Sequence, residues 1–241
     1  MTNFLINSDG IRVFISEKKD GSMKLLGDFE NEKIIKNRKK FFRKIGINFE
    51  DIVLADLVHG VNVKIVDIKD KGRIIKKTDG LITKEKDIFL IVTVADCLPI
   101  FLYTKNGKGV GILHGGWRGI VGGIVENGIA KLLDLTKCLP EEIFLKVGPS
   151  IGPCCFEVGE KAIECFEKYQ GVIEIREGKK YVDLRKVVKQ IALQEGLLKD
   201  KVDINCECTS CLSKKYFSFR RDKPEKVQAM IAGIGFVNLK Q

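Results

Sequence analysis

Apolar positions along the chain repeat with two different periods, and the boundaries between them outline the elements. Short β-rich runs at 53–58 and 61–66 flank His59-Gly60, a strand–turn–strand pattern. Residues 88–95 are a continuous apolar run, as expected of a strand buried on both faces. The run ends at Asp96-Cys97, and Pro99 then interrupts the pairing pattern. A further strand at 110–113 leads into His114-Gly115-Gly116-Trp117-Arg118-Gly119. After it Ile120, Val121, Ile124, Val125, Ile129, Leu132 and Leu133 recur at helical spacing, so the segment reads as strand, glycine turn, helix. Residues 144–147 predict another strand, entering the turn Gly148-Pro149-Ser150-Ile151-Gly152-Pro153-Cys154-Cys155. Helices are predicted at 159–169 and 184–197, and a last strand at 230–237. Interleaved strands and helices point to an α/β or α+β fold with a mixed sheet. No repeat or linker tract divides the chain, so residues 1–241 read as one domain.

Composition narrows the class. With 44% hydrophobic and 31% charged residues and only 5 Pro, the chain is neither collagen-like nor disordered. No apolar stretch approaches the ~18 residues of a spanning helix. The start, MTNFLINSDG, lacks the basic beginning and apolar run of a secretory signal. A cytoplasmic protein without a membrane partner is expected. The formal charge is +10. Its local runs, 36–40 and 73–77, have no RNA-binding aromatic signature between them. They read as solvated lysine faces, so no nucleic-acid partner is expected. Eight Cys would staple a small secreted domain, but this chain is too long to need that. In a reducing compartment the thiols stay free, bind metal or react.

Only two His occur, His59 and His114. Together with Cys97 they fall at strand ends or glycine turns and offer the ligand types zinc favours. Three protein ligands leave a fourth position for water or substrate. The spacings of 38 and 17 residues match no compact zinc motif, and the alternative is a core histidine beside an inert thiol. Asp96 follows eight residues that are apolar except for Thr93. An unpaired buried carboxylate there would cost several kcal/mol, so it either faces a cleft, orienting a ligand or exchanging a proton, or caps the turn before Pro99.

The turn Gly115-Gly116-Trp117-Arg118 opens a helix, where free amides favour anions, and Arg118 strengthens that preference unless it pairs with a surface carboxylate. It is no Walker loop, and Gly107-Lys108-Gly109-Val110-Gly111 lacks the third glycine of a dinucleotide fingerprint. Cys206-Glu207-Cys208-Thr209-Ser210-Cys211 looks like half a zinc ribbon. Its second Cys pair is missing nearby, although Cys154-Cys155 could supply it in space; reduced structural thiols are the favoured reading. Phe217-Ser218-Phe219-Arg220-Arg221-Asp222 mixes aromatics and arginines as a nucleobase or phosphate pocket would. Pairing of Arg220 or Arg221 with Asp222 is the alternative.

The segments Leu57-Val58-His59-Gly60, Thr93-Val94-Ala95-Asp96-Cys97-Leu98-Pro99 and His114-Gly115-Gly116-Trp117-Arg118-Gly119 resemble the three metal-bearing motifs of the YfiH-like, or laccase-domain, family. Gly148 to Gly159 and Phe217 to Asp222 resemble two more, in the same order, from about Gly27 to the C-terminus. The family was first labelled multicopper polyphenol oxidase and later purine nucleoside phosphorylase. The resemblance implies a single α/β domain with a β-sandwich core and outer helices. It also implies zinc on His59, Cys97 and His114. The implied activities are phosphorolysis of adenosine, inosine, guanosine and methylthioadenosine, and deamination of adenosine. From their own contexts, not from the resemblance, Asp96 and Arg118 are the expected catalytic residues, with Gly115, Gly116, Arg220 and Arg221 expected to bind substrate or phosphate. Purine nucleosides and phosphate are the expected partners of a monomer. One departure stands out. The family's N-terminal Thr-Arg-x-Gly-Gly segment and the loop after it are shortened within residues 1–26, and the arginine is missing.

The older oxidase label is a competing reading, with Cu2+ as the less favoured metal at the His/Cys/His site. A true multicopper oxidase is excluded, because a trinuclear cluster needs repeated His-x-His pairs and the chain has two His in all. A catalytically weak nucleotide-binding module is the other competitor, given the basic charge and the shortened segment. A Cys97–His114 nucleophile pair ranks below these, since a metal-bound thiolate is not free to attack. A polynucleotide-type zinc deaminase is disfavoured because no His-x-Glu or Pro-Cys-x-x-Cys occurs.

Overall fold

The computed structural model describes residues 3–8, 10–24, 32–105, 107–225 and 227–237. Two six-stranded mixed sheets carry the architecture. The first runs Phe4–Ser8, Ile11–Ile15, Met230–Phe236, Phe89–Val94, Ile52–Ala55, Ile74–Ile75; the second runs Val202–Ile204, Ile143–Val147, Leu98–Thr104, Val110–Gly115, Gly80–Thr83, Val63–Ile65. A small three-stranded sheet of Glu157–Val158, Lys179–Val182 and Ile173–Arg176 completes it.

The period of two along each strand sorts its side chains into layers. In Phe89–Val94, the residues Phe89 and Ile91 join Phe41 and Phe42 of the helix Glu32–Lys44. Leu90, Val92 and Val94 point the other way, meeting Leu81, Phe101, Val110 and Ile112 of the second sheet. In Leu98–Thr104, Leu98, Ile100 and Leu102 turn outward to the helices Ile124–Thr136 and Leu184–Gln194. The layers are therefore helix, sheet, sheet, helices. A strand in the middle of such a stack must be apolar on both faces, which explains the unbroken run ahead of Asp96.

Four local expectations are corrected. Residues 53–58 and 61–66 do not form a hairpin. Ile52–Ala55 pairs parallel with Phe89–Val94 in the first sheet, and Val63–Ile65 pairs parallel with Gly80–Thr83 in the second. The chain between them crosses from sheet to sheet. Pro99 does not interrupt pairing but lies second in Leu98–Thr104, opposite His114, near the strand start where the missing amide is tolerated. The helix after Gly116 is two helices, Trp117–Val121 and Ile124–Thr136, because Gly123 adopts φ 101°. The helix at 159–169 shrinks to Glu160–Ile163 followed by a 3-10 turn.

The strands Phe4–Ser8 and Ile11–Ile15 and the helix Glu32–Lys44 are not among the expected elements, although Ile34, Ile35, Phe41, Phe42 and Ile45 fall at helical spacing. In that helix Lys36, Lys39 and Lys40 are exposed as a solvated face, but Arg38 of the same run is buried with Ile34, Phe41 and Phe42 and donates through Nε to the Met23 carbonyl oxygen at 2.8 Å. Gly27-Asp28 lie outside the described residues.

Both sheet-to-sheet crossings next to the core come out at one end of the sandwich. One carries His59; the other, between Val94 and Leu98, carries Asp96 and Cys97; His114 closes the neighbouring strand.

The interior of the first sheet also explains Gly235. A Cβ there would lie 2.5 Å from the carbonyl oxygen of Ile88 and 2.5 Å from Phe89 Cδ1. Gly235→Ala is expected to destabilise the protein by about 1–3 kcal/mol through overpacking. An unchanged urea midpoint would show that the strand relaxes instead.

Candidate metal centre and its cavity

The backbone sets the centre before any ligand is considered. His59 sits at φ 58°, a left-handed conformation that His tolerates better than most side chains. That turn is held by a residue the sequence reading did not single out. The buried Asp79 carboxylate accepts hydrogen bonds from three successive amides: His59 N to Oδ1 at 2.8 Å, Gly60 N to Oδ2 at 2.8 Å and Val58 N to Oδ2 at 3.2 Å. Its Oδ1 also lies 3.0 Å from Nδ1 of His114. Burial opposes ionisation of Asp79, but the His114 contact and the Gly60 and Val58 amides hold its carboxyl below the ordinary range. With Nδ1 engaged, His114 presents Nε2 to the centre.

His59, Cys97 and His114 each offer one ligand atom, all within 4.8 Å of one another. The two imidazoles meet edge to face at 4.8 Å between centroids. Gly116 is fitted to the group: a Cβ on it would lie 3.2 Å from His59 Cδ2, 3.6 Å from Cys97 Sγ and 3.7 Å from His114 Cε1. Gly119 lets the next helix approach Gly60, whose carbonyl oxygen would stand 2.8 Å from an added Cβ. Burial alone would push the Cys97 thiol up, yet the His114 and His59 imidazoles bring it down to about 6. Burial likewise disfavours a charged His114, but Cys97 and Asp79 raise it to about 9. A thiolate and an imidazole in contact are the donor types a metal site needs.

The group opens on a cavity of about 410 Å3 that also takes in Lys24, Asp96, Gly115, Gly116, Trp117, Arg118, Phe156, Phe219 and Arg220. This size is within the range of small-molecule sites. Asp96, at φ 88°, is a buried hub: Oδ1 accepts from Thr209 Oγ1 at 2.6 Å, and Oδ2 from Ser218 Oγ at 2.9 Å and Arg220 N at 2.7 Å. Three of a carboxylate's roughly four acceptor sites are thus taken. Arg118 is exposed, stacks on Trp117 at 4.4 Å, and pairs with no carboxylate among the described residues. Its helix, Trp117–Val121, is only five residues long, so little dipole reaches an anion there.

The two arginines predicted for the pocket part company. Arg220 lines the cavity and anchors its Nη1 on the carbonyl oxygens of Cys155 and Glu157. Arg221 points elsewhere. It pairs with Asp222 through Nε and Nη2 at 2.7 Å and donates to the carbonyl oxygens of Thr209, Ser210 and Tyr216.

The structure is thus a four-layer α/β sandwich with a His–Cys–His group, a candidate metal site, at its sheet crossings and open to a small-molecule cavity. The chain belongs to the family described as multi-copper polyphenol oxidoreductase laccase, which matches residues 21–236. It is 28% identical over 203 residues to purine nucleoside phosphorylase YlmD of Geobacillus stearothermophilus, across 79% of this chain and 74% of that protein. It is 27% identical over 202 residues to adenosine deaminase RL5 from an unknown prokaryotic organism, across 78% and 77% of the two chains. The crystal structure of Bacillus licheniformis hypothetical protein YfiH matches with a TM-score of 0.89 at 27% identity, covering 97% of this chain and 95% of that one. No helix among the described residues is long and apolar enough to cross a membrane.

Asp79→Asn removes the charge that orders the His59 turn and His114, so zinc affinity is expected to fall about 10–100-fold in a chelator competition. In metal-free protein, alkylation of Cys97 followed by peptide mass spectrometry should stay fast as pH falls toward about 6 and slow below it. A Cys97 rate that instead drops from pH 9 would contradict the thiolate–imidazolium pair.

Proposed function

We propose that the protein is a zinc-dependent purine nucleoside phosphorylase that also deaminates adenosine. The observation that carries this reading is the convergence of His59, Cys97 and His114 on one edge of a cavity lined by aromatics and arginines. The donor set of two imidazoles and one thiolate, with Gly116 kept free of a side chain beside all three, fits zinc with one position open. Zinc held there supplies Lewis acidity and lowers the pKa of water at neutral pH.

The chain's own groups do the rest. Phe219, 54% exposed at the cavity, offers a face for a purine, while Phe156 is buried beneath the Arg220 guanidinium, 5.3 Å from its ring, and supports that arginine at the cavity. Lys24, Arg118 and Arg220 supply positive charge for phosphate, and Arg118 has its guanidinium uncommitted to any carboxylate among the described residues. Backbone at Gly115 and Gly116 gives the substrate close approach. Asp96 retains an acceptor site on Oδ1 for a substrate hydroxyl or amine and so is the candidate for proton exchange, while its other bonds fix the Arg220 turn. In phosphorolysis, phosphate held by the arginines attacks the anomeric carbon and the base leaves. In deamination, water replaces the amino group at the purine C6 and ammonia leaves.

The copper reading rests on the family description alone. Two histidines in the whole chain cannot build a multicopper cluster.

Chromatography of zinc-loaded protein with adenosine, with and without phosphate, tests the proposal. Phosphate-dependent base release should disappear in Cys97→Ser and lose its phosphate dependence in Arg118→Ala. Inosine formed without phosphate reports the deaminase branch. No turnover of adenosine, inosine, guanosine or methylthioadenosine would overturn the reading in favour of a binding module.

A further inference from the structure

A second cluster of metal-ligating groups lies behind the cavity wall. Cys154 and Cys155 end one turn, Cys208 and Cys211 bracket another, and the four Sγ atoms all lie within 4.8 Å of one another. Cys211 Sγ is 3.5 Å from Cys154 Sγ and 3.4 Å from Cys155 Sγ. A tetrahedron with zinc–sulfur bonds of about 2.3 Å has edges of about 3.8 Å, and these separations are close to that. A disulfide would draw two sulfurs to about 2 Å and strand the others. Cys206, the remaining Cys of the half-ribbon motif, stands outside the group.

The surroundings are built for a tetrathiolate. The two turns are joined by a backbone bridge between Ser150 and Cys208, and the buried Arg185 donates to Ser150 and to the carbonyl oxygen of Glu207. The pairs are thus brought together by main chain, independently of any metal. The Gly152 amide donates to Cys208 Sγ at 3.2 Å, and a Cβ on Gly152 would lie 3.2 Å from Cys154 Sγ. Four thiolates on a divalent ion leave a charge of about −2. Three guanidiniums surround that charge: Arg176 donates to the carbonyl oxygen of Pro153, Arg220 to that of Cys155 and Arg221 to those of Thr209 and Ser210.

We infer that Cys154, Cys155, Cys208 and Cys211 hold a structural zinc ion, separate from the His59–Cys97–His114 centre. The site is closed, with four protein ligands and no open position, so it takes no part in turnover. Its role is to staple the turn that gives the cavity Ile151 and Phe156 to the turn whose Thr209 holds Asp96. The assignment does not depend on the proposed activity.

Metal analysis of the full-length protein, purified reduced and without chelators, tests it. The unaltered protein should carry about two zinc ions per chain, and Cys97→Ser should keep about one. Cys211→Ser should lose the other while retaining the first. Thiol footprinting of the unaltered protein supplies a readout independent of that variant's folding. In zinc-loaded protein the exposed Cys154 and Cys211 should resist iodoacetamide while the exposed Cys206 is labelled, and chelation should abolish the difference. A metal-free Cys97→Ser protein, iron in place of zinc, a disulfide within the cluster, or labelling of Cys154 and Cys211 as fast as Cys206 would each overturn it.

Discussion

The grip of one buried carboxylate on three consecutive amides is the constraint on which the centre depends. Asp79 is fully buried, and an ion in that position is tolerable only if its lone pairs are filled. Val58, His59 and Gly60 fill them with main-chain donors, and His114 takes the last contact. The same carboxylate therefore fixes the crossing loop from the first sheet and the imidazole on a strand of the second. Main-chain bonds add to this: His114 N donates to the Asp79 carbonyl oxygen at 2.7 Å. Two ligands from different sheets are thereby set by a single residue, and Cys97 arrives on the neighbouring crossing.

The three residues that converge at the candidate centre were legible because they are chemically conspicuous: two histidines in 241 residues, each beside glycine, and a cysteine near the end of an apolar run. Asp79 was not. In Lys76-Lys77-Thr78-Asp79-Gly80 it reads as a turn residue, and nothing local announces that its partners lie twenty residues earlier and thirty-five later. The helix Glu32–Lys44 is a different case. Ile34, Ile35, Phe41, Phe42 and Ile45 recur at helical spacing and were legible, but the run was read only for its charge. The structure shows the apolar face covering the first sheet. The hairpin expected around His59 failed because periodicity identifies strands but not the sheet each one joins. The overall class was legible, since alternation of strand and helix periods persists along the chain.

Asp96 shows how two readings of one residue meet in the structure. The carboxylate both ties a turn, through Ser218 and the Arg220 amide, and faces the cavity. A buried carboxylate at a strand end must acquire donors to be tolerated, and the donors it acquires here are those of the Phe217 to Asp222 segment. The arginine pair of that segment is divided by the same geometry. Arg220 is carried to the cavity by its amide bond to Asp96, whereas Arg221, one residue on, is turned to the opposite side and neutralised by Asp222.

The cations at the cavity bear on how the proposed activities balance. Phosphorolysis needs cations to bind a doubly charged nucleophile, whereas attack by water at C6 needs none. Residues 14–26 contain no arginine, but Lys24, from that stretch, lines the cavity. An ammonium is a point charge without the paired donors of a guanidinium, so it supplies attraction with less orientation. Arg220 is partly spent on the carbonyl oxygens of Cys155 and Glu157. On the proposed reading, directional phosphate binding then falls chiefly to Arg118, held against Trp117 and otherwise uncommitted among the described residues. Weakening it would penalise phosphorolysis more than deamination, because only the former carries the anion into its transition state.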